Sequence, residues 1–252
     1  MGVVRLLDLV QQMLFDNPLN ISRVLLSALG TRLYTFHQDR VPRSGAVLVV
    51  SNHRSFMDAP ILMAAMNRPI RFACHHYMGE VPVMRDLVKR MGCFPLDAPA
   101  ERNQGFFQKA VRLLQTQQAV GIFPEGAEPM VKETPAQQVG NFQRGFAHLA
   151  LRAPIDDLAI LPIAIAANQE TTNSAIPLRL LSWIDPSEPL FAQSGWHPMV
   201  VYQRVNVMIG RPYWIRPEQR QDYHGRQARS LVMDVTQACH AEINHLLTQG
   251  CY

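Results

Sequence analysis

Ala46-Val47-Leu48-Val49-Val50-Ser51-Asn52-His53-Arg54-Ser55-Phe56-Met57-Asp58 is the stretch around which the rest of the chain is arranged. Its first five residues are a short, β-branched apolar run opened by Pro42 and Gly45, which predicts a buried strand rather than a helix. From Ala59 to Met66 the apolar residues recur at helical spacing, and Pro60 is tolerated only in a first turn, so a helix is expected to begin near Asp58. His53 and Asp58 then flank a strand-to-helix turn. On one continuous helix, residues five apart would be separated by about 140° and would not face each other; a turn between them removes that obstacle.

A carboxylate that accepts the Nδ1 proton of an imidazole fixes its tautomer and supports the charge that forms when Nε2 takes a proton from a hydroxyl. His53 and Asp58 are therefore candidates for a general base and its orienting acid. The alternative reading has Asp58, or Ser55 with Asp58 three residues on, capping the helix. One carboxylate can do both.

Further along, Val120-Gly121-Ile122-Phe123-Pro124-Glu125-Gly126 is a second apolar run, and it ends in a turn that carries a carboxylate and a permissive glycine. Taken with Asn52-His53 and Asp58, it resembles the glycerolipid acyltransferase family, to which lysophosphatidic acid acyltransferases belong. Two further blocks stand in the family's order: Gly92-Cys93-Phe94-Pro95-Leu96-Asp97 is similar to the second motif, and Leu158-Ala159-Ile160-Leu161-Pro162-Ile163 to the fourth. The resemblance spans roughly residues 40 to 210 and implies a layered α/β fold, a mixed sheet flanked by helices. It also implies an O-acyltransferase that moves a fatty acyl group from acyl carrier protein or coenzyme A to a lysolipid hydroxyl, without a covalent acyl-enzyme or a cofactor. By the same resemblance His53 and Asp58 are catalytic, and Asn52, Ser55, Gly92, Glu125, Gly126 and Pro162 are expected near the substrates.

Departures from the family pattern bear on the acceptor. Asp97 is followed by Ala98, and Gly126 by Ala127-Glu128-Pro129, where relatives carry arginines taken to hold the acceptor's phosphate. A Phe-Lys-x-Gly element of many relatives is here Phe142-Gln143-Arg144-Gly145. A planar guanidinium suits a phosphate because it donates two parallel hydrogen bonds. Lys132, Arg102 and Arg144 are the candidate replacements; without them, a neutral alcohol, another lysolipid or an idle lipid-binding member becomes the alternative.

Outside this core, Val3 to Phe15 has one apolar stripe, and Asn20 can cap a second helix from Ile21 to about Phe36. Residues 1–38 are thus expected to be amphipathic helices that dock on a membrane, and 39–252 the acyltransferase domain. Strands are expected at Pro69 to Ala73, Cys93 to Leu96 and, at a sheet edge, Met199 to Ile209. Helices are expected over Val81 to Arg90, Glu101 to Gln118, Phe146 to Leu151 and Glu218 to Leu247. Glu128 to Gln143 reads as a loop and Asn168 to Pro177 as a polar turn region.

The 252 residues suffice for one substantial core, and a hydrophobic fraction of 48% with 17% charged residues excludes disorder. A net charge of +4 suits anionic membrane surfaces or acyl carrier proteins, while the absence of basic runs interleaved with aromatics argues against nucleic acid. The four cysteines lack metal-site or disulfide spacing. Cys74-His75-His76 near Glu80 is not expected to bind metal, since adjacent histidines diverge and no second ligand cluster is near. No stretch reaches the roughly 18 apolar residues of a spanning helix, so a peripheral position on the cytoplasmic face of a membrane is expected. A Gly-x-Ser-x-Gly elbow is absent, which argues against a serine esterase.

Overall fold

The computed structural model describes residues 17–74, 88–95, 102–126, 128–131, 134–177 and 196–249. The expected helix at Val3 to Phe15, most of that at Val81 to Arg90, and His75, His76, Glu80, Asp97, Ala98 and Lys132 lie outside them. Strand β2 (Ala46–Ser51) is central and buried at all six residues. Val47 and Val49 face one core while Leu48 and Val50 face the other, so both faces are covered and the run is apolar throughout.

The other strands are β1 (Arg32–Phe36), β3 (Ile70–Cys74), β4 (Phe94–Pro95), β5 (Ala119–Ile122), β6 (Leu158–Pro177), β7 (Trp196–Ile209) and β8 (Tyr213–Trp214). Their order is β1-β7-β6-β2-β5-β3-β4, with β8 paired to β6. From β4 to β6 every pairing is parallel, whereas β6 and β7 are antiparallel. The expected mixed α/β sheet is thus observed.

Helices α1 (Pro18–Ala28) and α2 (Asp58–Met66) cover one face; α3 (Arg102–Gln115), α5 (Gly145–Arg152) and α7 (Ala228–Gln249) cover the other. A single turn, α4 (Glu128–Val131), and α6 (Pro217–Tyr223) complete the set. Helix α2 is buried on nearly every side, because it lies between the sheet and α1, where the Ser22 hydroxyl meets Met63 Sδ at 3.5 Å. Each fully buried Ile, Leu or Met of α2 contributes about 1.5–3 kcal/mol. Among the described residues no helix is long and apolar enough to cross a membrane.

Several expectations need correction. The second helix does not run to Phe36: it ends at Ala28, Gly30 turns the chain at φ +67°, and Arg32–Phe36 pairs with β7. Residues 32–36 therefore belong to the sheet, and β1 takes the edge that had been expected for Met199 to Ile209. The C-terminal helix is two helices, separated at Gly225. Asn168 to Pro177 is no turn but the far part of β6, whose polar residues lie on a two-stranded ribbon with β7 that continues beyond the parallel strands. Polarity misleads there because Thr171, Thr172 and Asn173 are all exposed, and a strand whose side chains meet solvent needs few apolar residues.

Candidate active site

The carboxyl end of β2 runs into the turn that carries His53. Asn52 fixes its start: its amide nitrogen donates to Ile165 O at 2.9 Å and its Oδ1 accepts from Ile165 N at 2.8 Å. The side chain thereby imitates a peptide and adds one rung to the β2–β6 ladder. At the other end, Ser55 Oγ accepts the Met57 N–H at 3.1 Å and donates to Val200 O at 2.6 Å.

Asp58, at the start of α2, folds its carboxylate back over this turn. Oδ2 accepts the backbone N–H groups of Arg54 at 2.7 Å and Ser55 at 2.8 Å, and lies 2.8 Å from His53 Nδ1. The Asp58 N–H in turn donates to the Ser55 carbonyl at 3.1 Å, so closure of the turn and orientation of the imidazole share one residue. An ionised carboxylate can only accept, which places a proton on Nδ1 and leaves Nε2 as the basic nitrogen. The His53 side chain is 18% exposed, Asp58 1%. Among the described residues Nε2 makes no hydrogen bond.

Phe123 stacks on the imidazole with ring centroids 4.0 Å apart and planes 11° from parallel, and Phe72 stacks behind Phe123 at 5.0 Å. The face of an aromatic ring favours a cation, so the stack supports the imidazolium. Gly121 leaves room for it: a Cβ there would lie 2.2 Å from Phe72 Cε1.

Glu125 spans two segments. Oε1 accepts the His53 N–H at 3.0 Å, and Oε2 accepts the Gly140 N–H at 2.6 Å. Burial pushes its pKa up, and the two N–H groups only partly offset this. On the far side, Tyr202 is buried beside the Asp58 carboxylate; burial first, then the charge of Asp58, hold its phenol well above its ordinary value, so it stays a neutral O–H.

The remaining expected site residues divide. Gly126, at φ +73°, lies by Gln143, whose N–H donates to Pro124 O at 2.8 Å. That bond brings Arg144, the exposed residue before α5, to the same turn. Gly92 is not part of the site: β4 stands three strands from β2, and this glycine answers to φ +66° and the closeness of Arg71 and Pro18. Pro162 also faces elsewhere. Its carbonyl accepts the Gly210 N–H, and its missing N–H falls where β7 gives way to β8. Asn52, Ser55 and Glu125, expected to touch substrate, instead turn their polar atoms onto the protein's own backbone.

Residues 34–166 match the sequence profile of the family described as Acyltransferase. The chain belongs to that family. Within this acyltransferase family it is 22% identical over 144 residues to 1-acyl-sn-glycerol-3-phosphate acyltransferase of Borreliella burgdorferi, covering 57% of this chain and 54% of that protein. A probable 1-acyl-sn-glycerol-3-phosphate acyltransferase of Mycoplasma pneumoniae is 28% identical over 160 residues, covering 58% and 56%. The chain thus spans little more than half the length of these curated relatives. The crystal structure of the 1-acyl-sn-glycerophosphate (LPA) acyltransferase PlsC from Thermotoga maritima has the same fold, with a TM-score of 0.56 at 14% identity, covering 92% of this chain and 77% of that one.

Arg54 also pairs with Glu170 at 2.8 Å, and neither this pair nor the contacts of Phe123, Tyr202 and Gly140 were expected from the sequence. Phe123 stands in the Phe123-Pro124-Glu125-Gly126 motif, which is the signal that could have found it. Gly140 carries no sequence signal, because its N–H becomes functional only by meeting Glu125.

Proposed function

We propose that this acyltransferase moves a fatty acyl group from an acyl thioester to a hydroxyl of a glycerolipid acceptor, in the manner of 1-acylglycerol-3-phosphate acyltransferases, within phospholipid biosynthesis. The observation that carries this reading is the 2.8 Å contact between His53 Nδ1 and Asp58 Oδ2, with Nε2 uncommitted among the described residues. Nε2 takes the acceptor's hydroxyl proton as its oxygen attacks the thioester carbonyl. The tetrahedral intermediate then collapses, the carbon–sulfur bond breaks, and the thiolate recovers the proton from the imidazolium. Asp58 and the face of Phe123 support that cation meanwhile. The donor is an acyl carrier protein or coenzyme A thioester, and the enzyme works at the cytoplasmic face of a membrane, docked through the residues ahead of β1.

Purified protein with radiolabelled acyl thioester and a panel of lysolipids tests this. His53→Ala is expected to lower turnover about a hundredfold or more with the fold intact, and a loss under about tenfold would remove the general base from the mechanism.

A second reading of the acceptor has a specific observation behind it. The exposed Glu128 opens α4 where relatives carry arginine, and the Arg54 cation of the His53 turn is already paired with Glu170. This favours an acceptor less anionic than lysophosphatidic acid, since a missing charge-assisted contact costs about 1.5–3 kcal/mol. Competition between lysophosphatidic acid and neutral or zwitterionic acceptors at equal concentration decides it. If lysophosphatidic acid wins and Arg144→Ala or Lys132→Ala abolishes its advantage, those cations replace the arginines and the second reading falls.

A further inference from the structure

Arg54 is held at both ends. Its backbone N–H donates to Asp58 Oδ2, and its side chain leaves in another direction: Nε donates to Thr134 O at 2.9 Å, while Nη1 and Nη2 each donate to one oxygen of Glu170 at 2.8 Å. The residue is only 7% exposed. Thr134 belongs to the loop after α4, and Glu170 lies on β6 opposite Tyr202. One guanidinium thus joins the catalytic turn, the loop that supplies Gly140, and the ribbon.

An arginine beside an anion-handling site invites the reading that it grips the acceptor's phosphate. The geometry speaks against that, because the nitrogens that would form the fork already meet the Glu170 carboxylate. Burial works against the guanidinium charge, yet the bond to Glu170 and the charges of Glu170 and Asp58 hold its pKa above the ordinary value. We propose that Arg54 and Glu170 are a positioning pair: by fastening the ribbon and the Thr134 loop to the catalytic turn, they hold Asp58, and through it the His53 imidazole, in place for base chemistry. This rests on the His53–Asp58 reading of the site. It also requires arginine specifically, since lysine is a point charge that cannot serve three acceptors in one plane.

The test uses Arg54→Met, Arg54→Lys, Glu170→Gln and the double variant Arg54→Met/Glu170→Met, in the full chain. Two readouts are taken: turnover with KM for donor and acceptor, and the downfield proton resonance of the His53 Nδ1–H, assigned by its loss in His53→Gln. Arg54→Met is expected to lower kcat about a hundredfold with both KM values within about twofold, as for a misplaced reacting group. Glu170→Gln should cost about tenfold, and the double variant no more than Arg54→Met alone, because one contact is removed either way. Arg54→Lys should fail to rescue, and the resonance should broaden or vanish in Arg54→Met and Glu170→Gln.

Turnover of Arg54→Met within about threefold of wild type, full activity in Arg54→Lys, or a raised acceptor KM at unchanged kcat would each overturn the pair, the last by making Arg54 an acceptor ligand. Should Arg54→Met not fold, Glu170→Gln decides: an undisturbed resonance there overturns the coupling. If wild-type protein transfers no acyl group, the base reading fails, and the resonance still answers whether Arg54 positions His53.

Discussion

On one flank of β2 the His53–Asp58 turn is held by packing and one hydrogen bond to Glu125; on the other, by a set of hydrogen bonds and charges. The parallel side works through Gly121, Phe72 and Phe123, a column of rings that ends on the face of His53. The ribbon side works through polar contacts: Ser55 to Val200, Arg54 to Glu170 and Tyr202 beside Asp58. Packing is short-ranged and unforgiving of added volume, whereas hydrogen bonds set direction and tolerate little loss of a partner. Damage to the parallel side should therefore appear first as lost stability, and damage to the ribbon side as lost turnover.

Asp58→Asn should have the largest effect, because Asp58 is where the two sides meet. The asparagine oxygen can still accept the Arg54 and Ser55 N–H groups, so the turn survives while the imidazole tautomer is no longer enforced. Turnover is expected to fall about a thousandfold or more with little change in melting temperature. Melting that falls together with activity would mean that the carboxylate is chiefly structural, and the contrast between the sides would lose its common point.

Gly121→Val comes next. Its side chain would be driven into the Phe72 ring, and an overpacked core site costs about 1–3 kcal/mol in denaturant unfolding. A variant as stable as wild type would show that the ring column yields easily, which breaks the parallel half of the comparison.

Ser55→Ala probes the ribbon side alone. It leaves the buried Val200 carbonyl and Met57 N–H without their hydroxyl partner, at about 1–2 kcal/mol, and kcat should fall further than this stability change suggests. Equal stability loss with full turnover would show that the ribbon need not be fastened at this point.

The smallest effect is a pH slope. Burial raises the Glu125 pKa in the folded protein, so the folded state binds this proton more tightly than the unfolded chain. The resulting stability is fully present below the unfolded carboxyl's value of about 4.3, and is lost as pH rises through the raised folded value. Urea unfolding across that window should show wild type gaining on Glu125→Gln as pH falls. A gain in the opposite direction would show that the two N–H bonds outweigh burial.

The parallel side was also the legible side. The β-branched run before His53, the helical spacing after Asp58 and the run before Phe123 predicted β2, α2 and β5 close to where they lie. The ribbon was misread, because Asn168 to Pro177 has the composition of a turn and becomes strand only by pairing with β7. Gly92 and Pro162 were motif residues placed at the site by position in a pattern, yet each serves local backbone geometry.

Near-neighbour pattern was enough for β2, α2 and β5, and for setting His53 and Asp58 on one turn, since strand and helix periods and a five-residue turn are properties of adjacent residues. The partners of Arg54 lie 80 and 116 residues away, and that of Ser55 lies 145 away. No local period encodes such distances. Which acceptor each buried donor meets follows from how the ribbon and the Thr134 loop fold over the turn, because a buried polar group must find its partner wherever the assembled chain provides one.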